Sequence, residues 1–429
     1  MIHRYKRLSS ILRNPFWVIK KYHANIKRKT SLSKFVAVTG SSGKSTTVSL
    51  LAHIIEGTSS VKSQSLNNTI GPLIKTLRRH QKTDLFVVAE LGVGGKGQMA
   101  PMAEIFKPDV AILTMIGDEH YSSFRGKEGV FEEKSKLFQA LKPDGLAILN
   151  GDDSFTMNIV EKSLFRHVTF GRNNPNSDYI VQKINASVAD LLTFTIKNKK
   201  NKIRIHTQFP GEQFWLPITA AVVAALELDI PVKSIIERVA TFNPIYRRCS
   251  VHIIQDGPCF ILDCIKAPYT TLNLAFDMVK NIKSTRRRIV IGNISDYAGN
   301  PKPKYKNAYK YARECADQVI FIGKKQTTIK PCSDDIKHKR VIFVQTPEEA
   351  FDFIKKTYIP NEVILVKGSA NLHLERLMLA FKKKVLCWEP ACKVNDNCLT
   401  CPGLGNKFNR NKILRNKKIN QIKSNFFIK

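Results

Sequence analysis

The most informative segment of this chain is an apolar run that leads into a glycine-rich turn: Phe35-Val-Ala-Val-Thr-Gly40-Ser-Ser-Gly43-Lys44-Ser45-Thr46-Thr47. The apolar residues predict a buried strand, and the Lys-Ser-Thr that follows the glycines opens a predicted helix. Gly40 and Gly43 let backbone N–H groups face one concavity, where the helix dipole and the Lys44 ammonium would attract phosphate groups. The hydroxyl of Ser45 or Thr46 suits Mg²⁺. The spacing Gly-x-x-Gly-Lys-Ser is tighter than usual, but the strand before it and the helix after it favour nucleotide binding.

The chain is strongly basic, and its positive charge is unevenly placed. Its 429 residues include 69 Lys and Arg against 35 Asp and Glu, a formal net charge of +34, while 43% hydrophobic residues are ordinary for a globular protein. Residues 1–34 hold ten Lys or Arg, residues 403–429 hold eight, and neither end holds an acid. Such ends suit an anionic membrane surface, anionic substrates or nucleic acid, or are solvated tails. Nucleic acid is the least favoured partner, because few aromatic residues interleave the charges.

The N-terminal end has the pattern of an interfacial helix. Apolar residues recur with partly helical spacing among basic ones, although Pro15 interrupts the pattern: Tyr5, Leu8, Leu12, Phe16, Trp17 and Ile19. No run approaches the roughly 20 apolar residues that a membrane span needs, and the apolar core and cleavage site of a signal peptide are missing. We therefore expect a cytoplasmic protein, with peripheral contact to the inner membrane face as an open alternative.

Nine cysteines, an odd number, are typical of a reducing compartment. Five are scattered singly, and four cluster near the C-terminal end: Cys387, Cys392, Cys398 and Cys401. Four thiolates could close a tetrahedral Zn²⁺ site, although only one Cys-x₂-Cys is present. Unligated or redox-labile thiols are the alternative.

Apolar runs alternate with helical patterns in two blocks. Continuous apolar strands of this kind are typical of a parallel sheet that is covered on both faces. Residues 178–209 alternate polar and apolar side chains instead, which predicts an antiparallel excursion. The pattern breaks at Phe242-Asn-Pro244, and a second alternation fills residues 251–368.

These blocks predict an α/β protein. A P-loop-type parallel-sheet ATPase domain occupies residues 35–243, and a smaller Rossmann-like, doubly wound domain occupies residues 244–386. Residues 1–34 form a basic N-terminal segment, and residues 387–429 hold the cysteine cluster and a basic tail.

Eight motifs, in order along residues 35–386, resemble those of the Mur ligases, and most of all those that add D-Ala-D-Ala to a muramoyl tripeptide. The motifs are Thr39-Gly-Ser-Ser-Gly-Lys-Ser, Asn67-Asn-Thr-Ile-Gly71-Pro-Leu, Glu90-Leu-Gly, the segment from Lys107 to His120, the segment from Leu141 to Asp153, Asp263 with Lys266-Ala-Pro268, Gly292-Asn-Ile-Ser-Asp-Tyr-Ala-Gly299, and Leu365-Val-Lys367-Gly-Ser369 before Glu375-Arg376. Each motif alone is weak, but their shared order over roughly four-fifths of the chain makes the resemblance specific.

The resemblance implies an ATP-driven, ADP-forming amide ligase that works through an acyl phosphate. It implies that Lys44 and the loop amides hold the terminal phosphates, that Ser45 and Glu90 hold one Mg²⁺, and that His120 lies at a second Mg²⁺. The nucleotide-binding loop would then comprise Gly40, Ser41, Ser42, Gly43, Lys44, Ser45 and Thr46. An ordinary capping or surface role is the alternative for Glu90 and His120.

Three further residues take roles from the resemblance. Lys134 falls where the family carries a carbamylated lysine, although Lys136 is a close neighbour and a solvated lysine is the alternative. Asp263 would meet the ribose or phosphate side of the nucleotide. Arg248 would meet the γ-phosphate when the domains close, but the chain reads Arg247-Arg248, so that either arginine could serve.

Departures from the family pattern leave the substrate open. Gln213-Phe-Trp-Leu-Pro217 replaces the family's adenine-side asparagines, so Phe214 and Trp215 would either stack on a purine or pack in the core. The 34 residues before the loop strand are too few for the family's UDP-sugar-binding domain. A polyglutamate-type or peptide-pathway ligase, a non-catalytic ATP-binding relative, and a P-loop NTPase that handles nucleic acid are the alternatives.

Overall fold

The computed structural model describes residues 15–119, 121–162, 165–186, 191–280, 282–323, 329–394, 397–411 and 413–414. The chain divides into two compact units. Of the described residues, the first unit comprises those within 15–186, 191–208 and 212–242, and the second comprises those within 209–211 and 243–414. Within the described ranges, no helix is both long and apolar enough to cross a membrane.

The first unit is built on a nine-stranded sheet with the strand order β2-β3-β1-β4-β5-β6-β7-β8-β9. Neighbouring strands from β2 to β7 pair in parallel, whereas β7, β8 and β9 form an antiparallel meander. The strands are β1 (Lys34–Thr39), β2 (Val61–Gln64), β3 (Phe86–Glu90), β4 (Val110–Leu113), β5 (Leu146–Asn150), β6 (Arg166–Gly171), β7 (Tyr179–Asn185), β8 (Thr193–Lys197) and β9 (Lys202–His206). The predicted parallel sheet and its antiparallel excursion are therefore confirmed.

Helices accompany the strands of this sheet, as continuous apolar strands require. They are α1 (Pro15–Lys29), α2 (Lys44–Ile55), α3 (Ile70–Arg79), α4 (Met99–Phe106), α5 (Tyr121–Phe124), α6 (Lys127–Gln139), α7 (Ser154–Lys162), α8 (Trp215–Glu227) and α9 (Val232–Thr241). The central strands β4 and β5 are buried along their whole length. Because their side chains point to both faces, burial throughout means that both faces of the sheet are covered.

The second unit has a six-stranded sheet with the order β10-β11-β15-β12-β13-β14, parallel except for β10. Its strands are β10 (Ser250–Ile253), β11 (Cys259–Asp263), β12 (Arg287–Ile291), β13 (Gln318–Ile322), β14 (Val341–Val344) and β15 (Val363–Lys367). Its helices are α10 (Leu272–Lys280), α11 (Pro301–Cys315), α12 (Ser333–Lys337), α13 (Pro347–Thr357) and α14 (Arg376–Lys382). This is the predicted doubly wound arrangement.

The cysteine-rich segment packs on the second unit. Cys398 and Leu404 are buried members of that unit's hydrophobic core. Trp388 stacks on Phe351 of α13 with ring centroids 5.5 Å apart. The sequence pattern places residues 387–429 outside the domain of residues 244–386, but Trp388, Cys398 and Leu404 pack in the hydrophobic core of that domain.

Helix α1 begins at Pro15, a residue that fits the first helical turn because its missing N–H would be unpaired there in any case. Its C-terminal end is fixed by Arg28, whose side chain is 5% exposed. The Arg28 Nε donates to the carbonyl oxygen of Phe106 at 2.5 Å, and the guanidinium lies 3.7 Å from the centre of the Phe35 ring. An ion pair with Asp109 at 3.5 Å completes the attachment.

We predict that Arg28→Ala lowers the free energy of unfolding by about 2–4 kcal/mol, because buried acceptors and a carboxylate lose their donor. Chemical denaturation followed by circular dichroism measures this change. Lys29→Ala is the matched control, since Lys29 is exposed at the next position of the same helix. Equal stability of the two variants would contradict the role given to Arg28.

Candidate active site

The turn between β1 and α2 forms a close-packed loop against the end of β4. Gly40 has φ 141°, and a Cβ atom at this position would lie 2.0 Å from Thr114 Oγ1. The N–H of Ser41 donates to the carbonyl oxygen of Met115 at 2.8 Å, which holds the loop on that neighbour. Gly43, with φ 83°, is the N-cap of α2 and has no side chain with which to cap it. The first N–H groups of α2 are thus oriented for an anion.

Two lysines converge on one carbonyl oxygen of this loop. Lys44 Nζ donates to the Gly40 oxygen at 2.6 Å, and Lys134 Nζ donates to the same atom at 3.0 Å. Lys134 is completely buried, and its Nζ lies 2.6 Å from Glu119 Oε1. The glycine-rich loop is therefore flanked by a second cation that comes from α6, about 90 residues further along the chain.

The structure separates Lys134 from its neighbour Lys136. The half-buried Lys136 donates to Glu133 Oε2 at 2.7 Å. The Glu133 carboxylate also accepts from the backbone N–H groups of Gln98 and Met99, at 2.7 and 2.8 Å, and so caps the start of α4. Burial raises the pKa of Glu133, but the hydrogen bond from Lys136 and those from the backbone outweigh it, and the net pKa is lowered. Lys136 thus has a structural partner, and Lys134 is the lysine at the loop.

Glu90 ends β3 beside the helix that carries Lys44. Its Oε2 accepts from Ser45 Oγ at 2.7 Å and from the N–H of Leu66 at 3.0 Å, while Oε1 accepts from Asn68 Nδ2 at 2.9 Å. Burial raises the pKa of Glu90, but the Lys44 charge and these hydrogen bonds outweigh it, so the net pKa is below its ordinary value. Glu90 is therefore an ionised carboxylate at neutral pH.

The donors of this corner fit Mg²⁺. The Ser45 hydroxyl and the Glu90 carboxylate place oxygen atoms next to each other at the glycine-rich loop, and Mg²⁺ prefers oxygen ligands supplemented by phosphate and water. His120, predicted at a second Mg²⁺, lies outside the described residues.

Gln213-Phe-Trp-Leu-Pro217, the segment that lacks the adenine-side asparagines expected from the resemblance, packs on the helix that follows the glycine-rich loop. Phe214 is buried with 9% exposure, which favours the core role over base stacking, whereas Trp215 is only half-buried at the start of α8. Thr47 Oγ1 donates to the carbonyl oxygen of Pro217 at 3.2 Å. The segment thus supports the first turns of α2.

In the second unit, Asp263 ends β11 directly opposite Lys367 of β15. Lys367 Nζ donates to Asp263 Oδ2 at 2.6 Å and to the carbonyl oxygen of Lys266 at 3.0 Å. Asp263 and the Lys367-Gly-Ser motif therefore meet at the C-terminal edge of a parallel sheet, the edge at which such folds bind ligands.

The two candidate arginines have different environments. Arg247 is buried, with φ 64°, and its guanidinium pairs with the fully buried Glu375 at 3.1 Å. Arg248 is half-buried, and the Nε atoms of both arginines have no hydrogen-bond partner among the described residues, so the ion pair with Glu375 is what separates Arg247 from Arg248. Arg247 is thus committed to a structural pair, and Arg248 is the arginine that suits a ligand.

The four clustered cysteines are free thiols. Among the residues that the structure describes, the potential metal donors that lie within 4.8 Å of one another belong to His373, Glu375 and Cys398. Cys392 Sγ lies 3.5 Å from His373 Nε2. The four-thiolate zinc site stays a prediction, and the geometry adds His373 as a donor that the cysteine spacing does not indicate.

Sequence analysis missed two residues that shape the site. Glu119 pairs with Lys134, and its one sequence signal is adjacency to His120. Thr114 Oγ1 donates to the carbonyl oxygen of Ser42 at 2.5 Å, and its position at the end of an apolar strand was the available signal.

Comparison with known proteins identifies sequences that resemble this chain. Residues 38–225 match the sequence model of the Mur ligase middle domain. The UDP-N-acetylmuramoyl-tripeptide--D-alanyl-D-alanine ligase of Bacillus subtilis is 24% identical over 354 residues, which are 81% of this chain and 75% of that protein.

Solved structures show the same fold. MurF from Acinetobacter baumannii superposes with a TM-score of 0.77 at 23% identity, over 85% of this chain and 80% of that one. MurF ligase from Thermotoga maritima, solved in complex with ADP, gives a TM-score of 0.73 at 19% identity, over 85% of this chain and 83% of that one.

The environment of Glu90 predicts a pH-dependent contribution to stability. A carboxylate whose folded-state pKa is lowered stabilises the fold above the ordinary glutamate pKa, and this contribution is lost as the pH falls through the lowered value. We expect Glu90→Gln to cost about 1–3 kcal/mol at pH 7, with the deficit shrinking below about pH 4.3. Denaturant unfolding in EDTA across this range measures it, with the exposed Glu104→Gln as control. A deficit that grew towards acid pH would contradict this assignment.

The two arginines predict opposite effects on stability. Arg247→Ala leaves Glu375 buried without its cation and should cost about 3–5 kcal/mol. Arg248→Ala should leave the unfolding midpoint nearly unchanged. Thermal unfolding of both variants tests this, and a large loss of stability in Arg248→Ala alone would reverse the assignment.

Proposed function

We propose that this chain, in which residues 38–225 are a Mur ligase middle domain, is an ADP-forming ligase that joins a carboxylate to the amine of an amino acid or peptide. One observation carries the proposal. Lys44 and Lys134 converge on the Gly40 carbonyl oxygen, beside the hydrogen-bonded Ser45 and Glu90. Lys44 supplies a fixed cation and Ser45 and Glu90 supply oxygen donors to a polyphosphate at a helix N-terminus, and Lys134 lies beside them.

The proposed reaction has two steps. In the first, a carboxylate oxygen of the substrate attacks the γ-phosphorus of ATP, and the bond to the β–γ bridging oxygen breaks to release ADP. In the second, the amine nitrogen attacks the carbonyl carbon of the acyl phosphate, and the tetrahedral intermediate collapses as phosphate leaves and the nitrogen loses its proton. The first step brings a carboxylate anion towards the charged triphosphate, and the second builds negative charge on the tetrahedral intermediate beside a leaving phosphate, so both barriers depend on cations held in place.

The residues of the loop would provide this charge. Lys44 reaches the terminal phosphates from the first turn of α2, and the N–H groups after Gly43 point the same way. Ser45 and Glu90 would hold Mg²⁺, which neutralises phosphate charge when it is bound. Because Glu90 is ionised at neutral pH, it is ready to act as a ligand without a prior proton loss.

Lys134 is proposed as the lysine that carries a carbamate. The support is positional, because Lys134 is buried at the loop whereas Lys136 lies on Glu133. A carbamate at Lys134 would be negative beside Glu119, so it would require a bound divalent cation to balance the two anions. His120, next to Glu119 in the sequence, is the proposed contributor to that second cation site.

The named substrates belong to the relatives. Their names specify a UDP-N-acetylmuramoyl tripeptide and D-alanyl-D-alanine. For this chain we propose the chemical classes alone, a carboxylate and an amino acid or peptide amine, used in cell-wall or other peptide synthesis. The replaced adenine-side segment motivates the rival hypothesis of a non-catalytic ATP-binding relative.

We predict that Lys134→Arg lowers ligase activity at least 100-fold, because arginine cannot form a carbamate, keeps a positive charge where the carbamate would be negative, and does not fit the same buried contacts. Lys136→Arg, the matched control two positions away, should keep activity within about 3-fold, because an arginine can still pair with Glu133. The measurement is phosphate release with ATP, Mg²⁺ and a panel of acids and amines, with product mass determined in parallel.

The same assay separates the hypotheses. Phosphate release that requires both acid and amine, with a product of the summed mass less water, supports the ligase. ATP binding by calorimetry without turnover over a broad panel would favour the non-catalytic relative. Full activity in Lys134→Arg would exclude the carbamate.

A further inference from the structure

Helix α1 carries an apolar stripe on the side that faces away from the protein. Val18, Tyr22 and Ile26, spaced four residues apart, are 48%, 66% and 42% exposed, and Ile19 beside them is 62% exposed. Residues at i, i+4 and i+8 lie on one face of a helix, so these side chains form a continuous band.

The opposite side of α1 faces the protein. Ala24 is fully buried, and Arg28 is anchored to Phe106 and Asp109. Trp17 packs against the hydrophobic core of the first unit. The helix is therefore held from its inner side and presents apolar residues outward, the reverse of what a surface helix of a globular protein usually does.

The borders of this stripe are basic. Lys20 lies along one border and Lys21 along the other, Lys29 lies in line with Val18 and Tyr22 at the C-terminal end of the band, and α1 contains no acidic residue. Lys27 is turned towards the protein, where its Nζ donates to the carbonyl oxygen of His80 at 2.9 Å. Exposed apolar residues bordered by lysines are the composition of a helix that lies in the plane of a membrane interface, with its apolar side in the acyl boundary and its cations among the headgroups.

A basic groove lies beside the stripe, between α1 and α3. It has a volume of about 520 Å³ and is lined by Trp17, Lys20, Gly71, Ile74, Lys75, Arg78 and Arg79. Four of these side chains are cationic and none is acidic. The Nε atom of Arg78 has no hydrogen-bond partner in the described part of the chain. The groove thus offers donors to a phosphate beside an aromatic ring and an aliphatic side chain.

We propose that α1 and this groove dock the protein on an anionic phospholipid surface. The stripe of Val18, Ile19, Tyr22 and Ile26 enters the headgroup and acyl boundary, and the groove binds lipid phosphates. Charge complementarity favours a lipid surface over a second copy of this chain, because a second copy would bring equally basic, acid-free helices together. This docking goes beyond the ligase reaction, since none of its residues belongs to the phosphate loop.

Vesicle sedimentation of the full chain tests the proposal. The probes are vesicles of phosphatidylcholine alone and vesicles with 30% phosphatidylglycerol, each at 0.1 and 0.5 M NaCl. We expect the protein to bind anionic vesicles at least 10-fold more tightly than neutral ones at low salt. High salt should weaken this binding only in part, because the contribution of the apolar stripe does not depend on charge.

Paired variants separate the stripe from the groove and from the basic chain ends. Ile19→Ser with Tyr22→Ser should weaken binding at least 10-fold at both salt concentrations, whereas Leu85→Ser, at a residue 56% exposed elsewhere on the first unit, should not. Lys75→Ala with Arg79→Ala should reduce the preference for anionic vesicles more than Lys199→Ala with Lys200→Ala, which removes the same charge from an exposed turn.

Three results would overturn the proposal. The first is equal binding to neutral and anionic vesicles, and the second is unchanged binding in both the stripe and the groove variants. The third is the absence of vesicle binding together with a dimer, seen by sedimentation velocity, that the double variant Ile19→Ser with Tyr22→Ser dissociates. ATP binding by calorimetry should be the same in all these variants, so that a loss of vesicle binding is not confused with misfolding or with failure of the ligase hypothesis.

Discussion

The first unit depends on the close approach of the Gly40 backbone to Thr114. A side chain at Gly40 would overlap the Thr114 hydroxyl, so this position needs both the absence of a Cβ atom and a positive φ. The approach brings the Gly40 carbonyl oxygen within reach of two ammonium groups, one from the helix that the loop starts and one from α6. One steric constraint therefore determines where the charges of the candidate site gather.

Those charges are buried, and burial makes their arrangement consequential. An isolated buried ion would be expensive, and here each ion has a partner: Lys134 with Glu119, and Glu90 with Ser45, Leu66 and Asn68 in the field of Lys44. The lowered pKa of Glu90 shows that these partners outweigh desolvation. A polyphosphate with its cation would exchange these partners for phosphate oxygens and metal within the same pre-formed cage, so little reorganisation would precede the chemistry.

The sequence predicted the elements well because their signals are local. Apolar runs marked the parallel strands, alternation marked β7 to β9, and the strand-turn-helix context marked the phosphate loop. Local sequence did not distinguish Lys134 from Lys136, or Arg247 from Arg248. Each pair shares one helix or turn, and what separates its members is a distant partner: Gly40 or Glu133 for the lysines, Glu375 for one arginine. Spacing along the chain does not reveal such partners, and Glu119 was missed for the same reason.

The net charge of +34 thus describes two kinds of cation. Inside the units, cations are matched to acids at short range, as in Lys134 with Glu119, Lys367 with Asp263 and Arg247 with Glu375. On α1 the positive charges outnumber any local acid, and they border apolar residues that face solvent. Ion pairs inside the units hold side chains in place, and salt screens them little. Unpaired cations on the surface attract anions over a longer distance, and this attraction weakens as ionic strength rises. Net charge alone sums the two kinds of cation, and the contacts separate cations that are paired with acids inside the units from cations that border exposed apolar residues.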